Sequence, residues 1–345
     1  MSRLSVFSGA ILAAFCLSSL AWPARGESVF EAISREVQVV YAQHQSAIVR
    51  IQAEDEHGRL SGSGFYIDPN GTIFTSYTIG GDTRNIVVCS GDSKLPAERL
   101  VGDARSGIAI LKVKARTPFL VIGKSADLSV ASPVIVIGYP MDLPATPTFG
   151  AVGGFDVKYL GRYLSPAYIR ANVPVERGEG GAPLLNLKGE AVGILISPRE
   201  NGTGCFALPI EAAEKVHADF LRFGEARPGW LGITVGKAPR DEEGPPEVRE
   251  VIPDSPAAKS GLQKGDLLLG IGEKRIHSPE DVLDASFYLT AGDEVPLLVS
   301  RDGKETTLQA RAVGIPAPLD ALRILKDFAA HPGVSPVETI WKVNK

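Results

Sequence analysis

The residues whose types and spacing could do chemistry are concentrated in one short loop, Glu176–Leu185. Glycines at Gly178 and at Gly180-Gly181, followed by Pro183 and an apolar run, are typical of a tight exposed loop that leads into a buried strand. A backbone of this kind can direct several N–H groups toward one point. The central position, Gly180, has no side chain, so it offers no atom that could attack a carbonyl.

The elements that would position this loop are short strands. Between residues 46 and 210 many brief apolar, β-branched runs are separated by glycine, proline, asparagine and aspartate, and long helical patterns are missing. Many short strands at this spacing predict a barrel or sandwich rather than a parallel α/β sheet. The runs are 64–67, 72–74, 86–88, 108–113, 134–138, 150–152, 191–196 and 205–210.

Six sequence blocks in this region, taken in order, resemble those of the HtrA/DegP family of trypsin-like serine proteases. The similarity covers about residues 45–215, and the ordered set is far more specific than any single block. The resemblance implies a mainly β fold, with a trypsin-like double six-stranded β-barrel over residues 46–224. The blocks are Gly62–Asp68, Gly71–Thr75, Asp103 with Ile108–Val113, Ile137–Pro140, Gly178–Leu185 and Phe206–Ile210.

The same resemblance indicates that the catalytic triad is missing. The family's serine loop reads G-N-S-G-G-P-L and aligns without a gap to Gly178–Leu184, which places Gly180 at the serine. Thr78 takes the position of the histidine, and Gly107 takes that of the aspartate. A threonine hydroxyl is no base near neutral pH, and neither glycine supplies a side chain. We therefore expect a pseudoprotease in which Gly178, Glu179 and Gly180 form a vestigial oxyanion loop.

An alternative is an active serine endopeptidase that uses non-standard residues. Ser63, Ser76 or Thr78 could serve as the nucleophile only if a base reached one of them, because nucleophile and base must share a hydrogen bond. None of the five histidines lies near the triad blocks in the sequence, and the family alignment places them away from the cleft. They are His44, His57, His217, His277 and His331.

A second module begins at Gly229 and resembles a PDZ domain of the HtrA type over residues 228–313, a β-sandwich with two helices. PDZ domains bind peptide C-termini as an added strand, and backbone N–H groups of the preceding loop capture the carboxylate. By resemblance, this peptide-binding loop and strand consist of Trp230, Leu231, Gly232 and Ile233. The alternative for Trp230 is a purely structural place in the core.

Helix-capping and turn residues predict several elements in and around these modules. Ser278 followed by Pro279 predicts a helix start, and that helix is expected to end near Gly292. Asp302-Gly303 predicts a two-residue hairpin. Gly224 predicts the end of a helix that starts at about residue 211.

The two ends of the chain carry segments outside the family resemblance. Residues 1–26 have a basic start, a short apolar core and a small-residue exit, which predicts a cleaved signal peptide and an exported, secreted or periplasmic protein. The alternative is that the segment is retained as a membrane anchor. Residues 27–45 predict a helix, and residues 314–345 predict an amphipathic helix followed by a tail.

Composition narrows the classes of ligand. The 345-residue chain has a net charge of −4 and no Lys/Arg-rich run, so nucleic acid is excluded as an expected partner. No metal site and no cofactor is expected. Cys89 and Cys205 lie on strands assigned to different barrels and are expected to remain unpaired. Asn70-Gly71 and Asn201-Gly202 also fit the glycosylation pattern, but they are interpreted as turns rather than as glycosylation sites.

These patterns support an exported adaptor, scaffold or regulator that binds unfolded or C-terminal protein segments, with an active HtrA relative as a possible partner. A second hypothesis is a purely structural subunit of an envelope or extracellular complex. The resemblance also implies a homotrimer, in which Phe30 and Tyr41 are loose candidates for the contact.

Overall fold

The computed structural model describes residues 28–156, 166–199, 203–237 and 244–316. The predicted signal peptide, the Asn201 triplet, His331 and the tail from residue 317 onward lie outside these ranges. Within the described ranges no helix combines the length and the apolar composition needed to cross a membrane.

An N-terminal helix, α1 (Val29–His44), corresponds to the helix predicted for residues 27–45. The Ser28 side chain accepts a hydrogen bond from the Glu31 N–H, and the Glu31 carboxylate accepts one from the Ser28 N–H. This reciprocal cap satisfies two N–H groups that the helix itself leaves free. The Tyr41 hydroxyl donates to the Ala145 carbonyl at 2.9 Å, which fastens the helix to the body of the protein, whereas Phe30 is 82% exposed.

The first β unit is an antiparallel sheet of seven strands. They are β1 (Ile48–Glu54), β2 (Arg59–Tyr66), β3 (Thr72–Ser76), β4 (Arg84–Ser90), β5 (Ser93–Pro96), β6 (Glu98–Asp103) and β7 (Ile108–Lys112). Their order in the sheet is β5-β4-β1-β2-β3-β7-β6. The family resemblance implies a six-stranded barrel here, whereas the structure has a seven-stranded sheet in which Ser93–Pro96 folds back onto β4 as a hairpin partner. A single-turn helix, α2 (Tyr77–Gly80), follows β3.

The second β unit is a closed barrel of six strands with the order β10-β13-β12-β11-β8-β9. Closure leaves no free sheet edge in this unit. The strands are β8 (Pro133–Gly138), β9 (Thr146–Asp156), β10 (Tyr168–Asn172), β11 (Pro183–Leu185), β12 (Ala191–Pro198) and β13 (Cys205–Pro209). The loop between β10 and β11 therefore contains residues 173–182, which include the Gly178–Gly181 stretch.

Helix α3 (Ile210–Phe223) follows β13 directly and ends at Gly224, as predicted, because Gly224 adopts the left-handed conformation with φ +79°. Its apolar face packs into a core that both β units share. His217 on this helix lies edge-on to the ring of Phe74 at 5.7 Å between ring centres. Burial lowers the pKa of His217.

The C-terminal unit has its own apolar core and is built from short antiparallel strands around two helices. Its strands are β14 (Gly229–Trp230), β15 (Ile233–Gly236), β16 (Glu247–Val251), β17 (Leu267–Ile271), β18 (Lys274–Arg275), β19 (Glu294–Arg301), β20 (Lys304–Arg311) and β21 (Val313–Gly314). The helices are α4 (Pro256–Lys259) and α5 (Pro279–Phe287). The hairpin at Asp302-Gly303 joins β19 to β20 as predicted, with φ +52° and +77°.

Helix α5 starts at the predicted cap but ends earlier than predicted. Ser278 and Asp281 cap its start reciprocally. The helix stops at Phe287 rather than near Gly292, because the carbonyl of Leu289 accepts the Gly229 N–H at 2.8 Å and draws the chain toward β14.

A buried ionic network joins the C-terminal unit to the β units. Asp219 of α3 accepts hydrogen bonds from the Lys215 ammonium at 2.7 Å, the Arg227 N–H at 2.9 Å and the Thr290 hydroxyl at 2.7 Å. Asp219 is 3% exposed, so all three donors compensate a carboxylate that is removed from water. The Ala167 N–H also donates to Asp284 of α5 at 2.7 Å.

The two cysteines of the described chain are both free and buried. Cys89 lies on β4 of the first unit and Cys205 on β13 of the second, in agreement with the expectation that they do not pair. Burial raises the pKa of Cys205 to about 12.

Candidate functional site

The structure brings the three positions singled out in the sequence to one region. Thr78 lies on α2, and the N–H of the preceding Tyr77 donates to the carbonyl of Gly107 at 2.6 Å. A Cβ atom built on Gly180 would lie 3.5 Å from the Ser76 hydroxyl, which in turn lies 2.9 Å from the Thr78 hydroxyl. Ser76 is therefore the residue that connects the Thr78 and Gly180 positions.

The side chains at this point do not form a nucleophile and base. The hydroxyls of Ser76 and Thr78 bond to each other, and in the described part of the chain neither bonds to an imidazole or a carboxylate. Gly107 adopts φ +83°, a left-handed conformation in which an L side chain is strained. Among the described residues, the Ser76 and Thr78 hydroxyls thus have no imidazole or carboxylate within the hydrogen-bonding distance that general-base catalysis requires.

The glycine loop keeps two backbone donors free. The carbonyl of Arg177 accepts the Met141 N–H at 2.6 Å, and the carbonyl of Glu179 accepts the Ala182 N–H at 2.9 Å. Because the N–H and C=O of one trans peptide point in opposite directions, these bonds turn the N–H group of Gly178 away from Met141 and that of Gly180 away from Ala182. Within the described ranges neither N–H has an acceptor, which is the property that an oxyanion site needs.

Ser63 of β2 fixes the glycine loop by hydrogen bonds. Its N–H donates to the Gly180 carbonyl at 2.8 Å, and its hydroxyl donates to the Gly178 carbonyl at 2.9 Å. The same hydroxyl accepts the Tyr139 N–H at 3.0 Å. Ser63 is fully buried, and through these bonds it braces the glycine loop. Sequence reasoning missed this role, since the contacts span 115 residues of chain.

Glu179 places a buried carboxyl group within the same loop. The residue is 2% exposed, and its Oε2 accepts the Glu176 N–H at 2.6 Å while Oε1 has no hydrogen-bond partner among the described residues. The side chain points inward: a Cβ atom on Gly138 would lie 3.0 Å from the Glu179 Cγ and 3.2 Å from the Ala182 Cβ. Burial raises the pKa of Glu179, because it disfavours the charged form.

One histidine lines the same cavity as Thr78. His57 and Thr78 line the same open cavity of about 740 Å³, together with acidic residues on the β1–β2 hairpin. Gly178, Gly180 and Ser76 are not among the residues that line this cavity. Its imidazole is 82% exposed and pairs with Glu56 at 3.3 Å.

The predicted peptide-binding loop of the C-terminal unit also has free donors. The carbonyls of Leu231 and Gly232 accept the N–H groups of Ala257 and Ile252, at 3.0 and 2.9 Å. The N–H groups of Leu231 and Gly232 have no acceptor in the described part of the chain. Gly232 adopts φ +80°, and a Cβ atom there would lie 2.3 Å from that of Ser255, so this loop conformation requires glycine.

Trp230 and Ile233 flank this loop on short strands. Trp230 pairs with Val313 in β14–β21, and Ile233 pairs with Val251 in β15–β16. Trp230 is partly exposed rather than fully buried, and its ring lies next to Gly232. β15 is an edge strand, so its outer side is open to an added strand.

No group of three or more His, Cys, Asp or Glu residues in the described ranges is arranged to hold a metal ion.

Two domain families match the chain. The trypsin-like peptidase domain family matches residues 62–194, and the PDZ domain family matches residues 229–311. Together with the strand content, they confirm the predicted fold class, a mainly β trypsin-like domain followed by a PDZ domain.

Curated relatives are about one-third identical to the chain over the aligned region. A probable periplasmic serine endoprotease, DegP-like, of Pseudomonas fluorescens is 34% identical over 269 residues, which cover 74% of this chain and 56% of the relative. Proteins of the same description from Halomonas elongata and Bartonella henselae are 32% and 31% identical, covering 73% and 74% of this chain and 56% and 53% of the relatives. The chain thus spans about half the length of the curated relatives it matches.

Solved structures with this fold include an HtrA-type protease, AlgW, with a tripeptide, which superimposes with a TM-score of 0.69 at 22% identity, over 82% of this chain and 98% of that one. The serine endoprotease from Yersinia pestis superimposes with a TM-score of 0.60 at 24% identity, over 81% and 98% of the two chains.

Proposed function

We propose that this chain, which has the HtrA/DegP-like combination of a trypsin-like peptidase domain and a PDZ domain, is a periplasmic peptide-binding protein without protease activity. It holds unfolded or C-terminal segments of exported proteins as an adaptor, scaffold or regulator. The periplasmic location is supported by the description of the relatives as periplasmic.

The observation that carries this proposal is the hydroxyl pair of Ser76 and Thr78 beside Gly180. A serine-type peptidase needs a nucleophile whose proton passes to a base held by a third group. Here two hydroxyls bond to each other at the place where that exchange would occur, and Gly107 supplies no carboxylate.

Peptide binding is supported by the second site. The free N–H groups of Leu231 and Gly232 lie at the start of the edge strand β15, which is the arrangement that PDZ domains use for a C-terminal carboxylate. The AlgW structures contain a tripeptide or a decapeptide. We propose that Trp230, Leu231, Gly232 and Ile233 bind the last residues of a partner protein.

The test is a direct assay of the purified protein. We expect no turnover of fluorogenic unfolded casein, no labelling by a serine-directed phosphonate, and binding of peptides with a free C-terminus. Casein turnover that persists in a Thr78→Ala/Gly180→Ala double variant would mean that the active site lies elsewhere.

The competing function is serine endopeptidase activity through non-standard residues. Its support is the curated description of the relatives and the position of His57 on the cavity that Thr78 lines. It predicts that His57→Ala abolishes casein turnover. A purely structural subunit, in contrast, would bind neither casein nor C-terminal peptides.

A further inference from the structure

The space left by the missing serine side chain forms a small cradle of hydrogen-bond donors. We infer that this cradle, made of the Gly178 and Gly180 N–H groups with the Ser76 and Thr78 hydroxyls, binds a carboxylate at the end of a peptide. This inference rests on the proposed function, because it requires a cleft that does not cleave what it holds.

The two N–H groups are the primary donors. The bonds that Met141 and Ala182 make to the carbonyls on the far sides of the same peptides orient both N–H groups away from these two residues. Ser63 fixes the carbonyls of Gly178 and Gly180 as well, so the donors are held before any ligand arrives. Preorganised backbone N–H groups of this kind form anion-binding concavities.

The hydroxyl pair adds a further donor. Two hydroxyls that bond to each other use one hydrogen between them, so the second hydrogen remains free to donate. Thr78 is exposed and Ser76 is buried beneath it. A carboxylate has two oxygens, so one oxygen can accept the N–H groups while the other accepts the hydroxyl.

Gly180 provides the room for the ligand. A Cβ atom at this position meets only the Ser76 hydroxyl, at the ordinary contact distance of 3.5 Å, and Gly180 does not adopt the positive φ of its neighbours Gly178 and Gly181. The Cβ position of Gly180 is therefore open, and we place one carboxylate oxygen in the space beside it.

The charges around the cradle tolerate an anion. Glu179 directs its carboxyl group inward, beside Gly138, where its Oε2 accepts the Glu176 N–H. Burial raises the pKa of this carboxyl group and so favours its neutral form. The two exposed neighbours in the loop, Glu176 and Arg177, carry opposite charges, so their net charge is zero.

A peptide carboxylate is favoured over a peptide bond by the chemistry of the cradle. In an active protease the N–H groups stabilise a charge that exists only after nucleophilic attack. Without a nucleophile that charge never forms, and a carboxylate is the peptide group that presents it permanently. Hydrogen bonds to a charged group are also stronger than those to a neutral carbonyl.

The test uses the whole protein labelled with ¹⁵N-glycine and the probe N-acetyl-alanyl-alanine, compared with its C-terminal amide. Loss of one resonance in a Gly180→Ala variant assigns the Gly180 amide. We expect the acid to shift the Gly180 and Gly178 amides saturably and the amide form to leave them unchanged. Equal shifts from both forms, or no shift of either resonance, would overturn the inference.

Two variants separate the cradle from the PDZ loop. Gly180→Leu fills the cradle and should weaken the response at Gly178 by at least about tenfold, the loss expected from one charged hydrogen bond. If Gly180→Leu does not fold, Gly180→Ala, whose methyl group fits, should still weaken the response measurably. In a Gly232→Ala protein, whose PDZ loop cannot keep its conformation, the Gly180 shift should persist.

The outcomes distinguish the two proposals. A response at Gly180 that remains when the PDZ amides show none would support the cradle and contradict PDZ binding. A response that disappears with Gly232→Ala and is insensitive to Gly180→Leu would contradict the cradle and leave PDZ binding standing. Casein turnover by the native chain would contradict the proposed function itself.

Discussion

The guanidinium carbon of Arg105 lies 5.4 Å from the centre of the Phe287 ring, across the boundary between the peptidase domain and the PDZ domain. Arg105 is held in place by Asp103, to which its Nε and Nη2 donate at 3.0 and 3.2 Å. The turn that precedes Gly107 is therefore packed against α5, the long helix of the PDZ domain.

This contact predicts that Phe287→Ala loosens the junction between the domains. Phe287 is fully buried, and its removal should lower the free energy of unfolding by about 3–5 kcal/mol, from lost burial and a residual cavity. Urea denaturation followed by circular dichroism measures the change. Phe119→Ala is the control, since Phe119 is 47% exposed and its loss should cost far less. Equal costs for the two variants would contradict the role of Phe287.

The hydrogen bonds to the Asp219 carboxylate form a second contact between the two domains that can be tested. Asp219→Ala leaves the Lys215 ammonium, the Arg227 N–H and the Thr290 hydroxyl without their shared acceptor, and a buried charge that loses its partner costs about 3–5 kcal/mol. Thermal unfolding should show a lower Tm. Asp293→Ala, which breaks only the exposed pair with Arg222, should change stability by less than about 1 kcal/mol.

Restoring the triad tests the missing chemistry. Gly180→Ser should fold, because a Cβ atom there meets only the Ser76 hydroxyl, and should show no casein turnover, because the neighbouring Ser76 and Thr78 hydroxyls bond to each other and supply no base. Adding Thr78→His and Gly107→Asp should give at most weak activity, because the aspartate must adopt φ +83° at a cost of roughly 1–2 kcal/mol. Fluorogenic casein turnover compares the variants, and robust activity from Gly180→Ser alone would refute this account.

The neighbouring Gly181 is the matched control for that experiment. A Cβ atom there would lie 2.2 Å from the Ser63 carbonyl oxygen, and its φ is +88°. Gly181→Ala should therefore destabilise the protein, whereas Gly180→Ala should not.

Glu179→Gln tests the buried carboxyl through pH. Burial raises the pKa of Glu179 in the folded protein, so folding favours its protonated form. The resulting stability is present below the unfolded value of 4.5 and is lost as pH rises through the folded pKa. The variant cannot ionise, so its stability relative to the native chain should increase with pH across that window. Urea denaturation at several pH values measures this, and a difference independent of pH would contradict it.

Peptide binding predicts a dependence on the terminal carboxylate. A C-terminal amide should bind the PDZ domain much more weakly than the acid, because the N–H groups of Leu231 and Gly232 lose an anionic acceptor. Isothermal titration with matched acid and amide peptides measures the difference. Gly232→Ala should reduce binding of the acid at least about tenfold, and equal affinities for acid and amide would rule out this assignment.

Local sequence signals predicted the elements well. β-branched runs located most strands, Gly224 and Asp302-Gly303 marked a helix end and a hairpin, and the order of the blocks brought Thr78, Gly107 and Gly180 together. Each of these signals depends on neighbouring residues or on a fixed order of strands, so it is readable from the chain.

The remaining features depend on contacts between distant residues. Ser63 braces a loop 115 residues away, and Arg105 meets Phe287 only after two domains have packed. The inward direction of the Glu179 side chain follows from the space beside Gly138, which the sequence does not reveal. The place of His57 on the cavity that Thr78 lines depends likewise on the course of its hairpin, which is set by the whole sheet.

One buried thiol lies in each β unit, so the rate at which each thiol becomes reactive reports when its own unit opens. Cys89 and Cys205 react with an alkylating reagent only after their strands open, and mass spectrometry of the separated peptides would time the two events independently. Staggered labelling would show that the two β units come apart in sequence, and simultaneous labelling would show that the peptidase domain opens as one cooperative body.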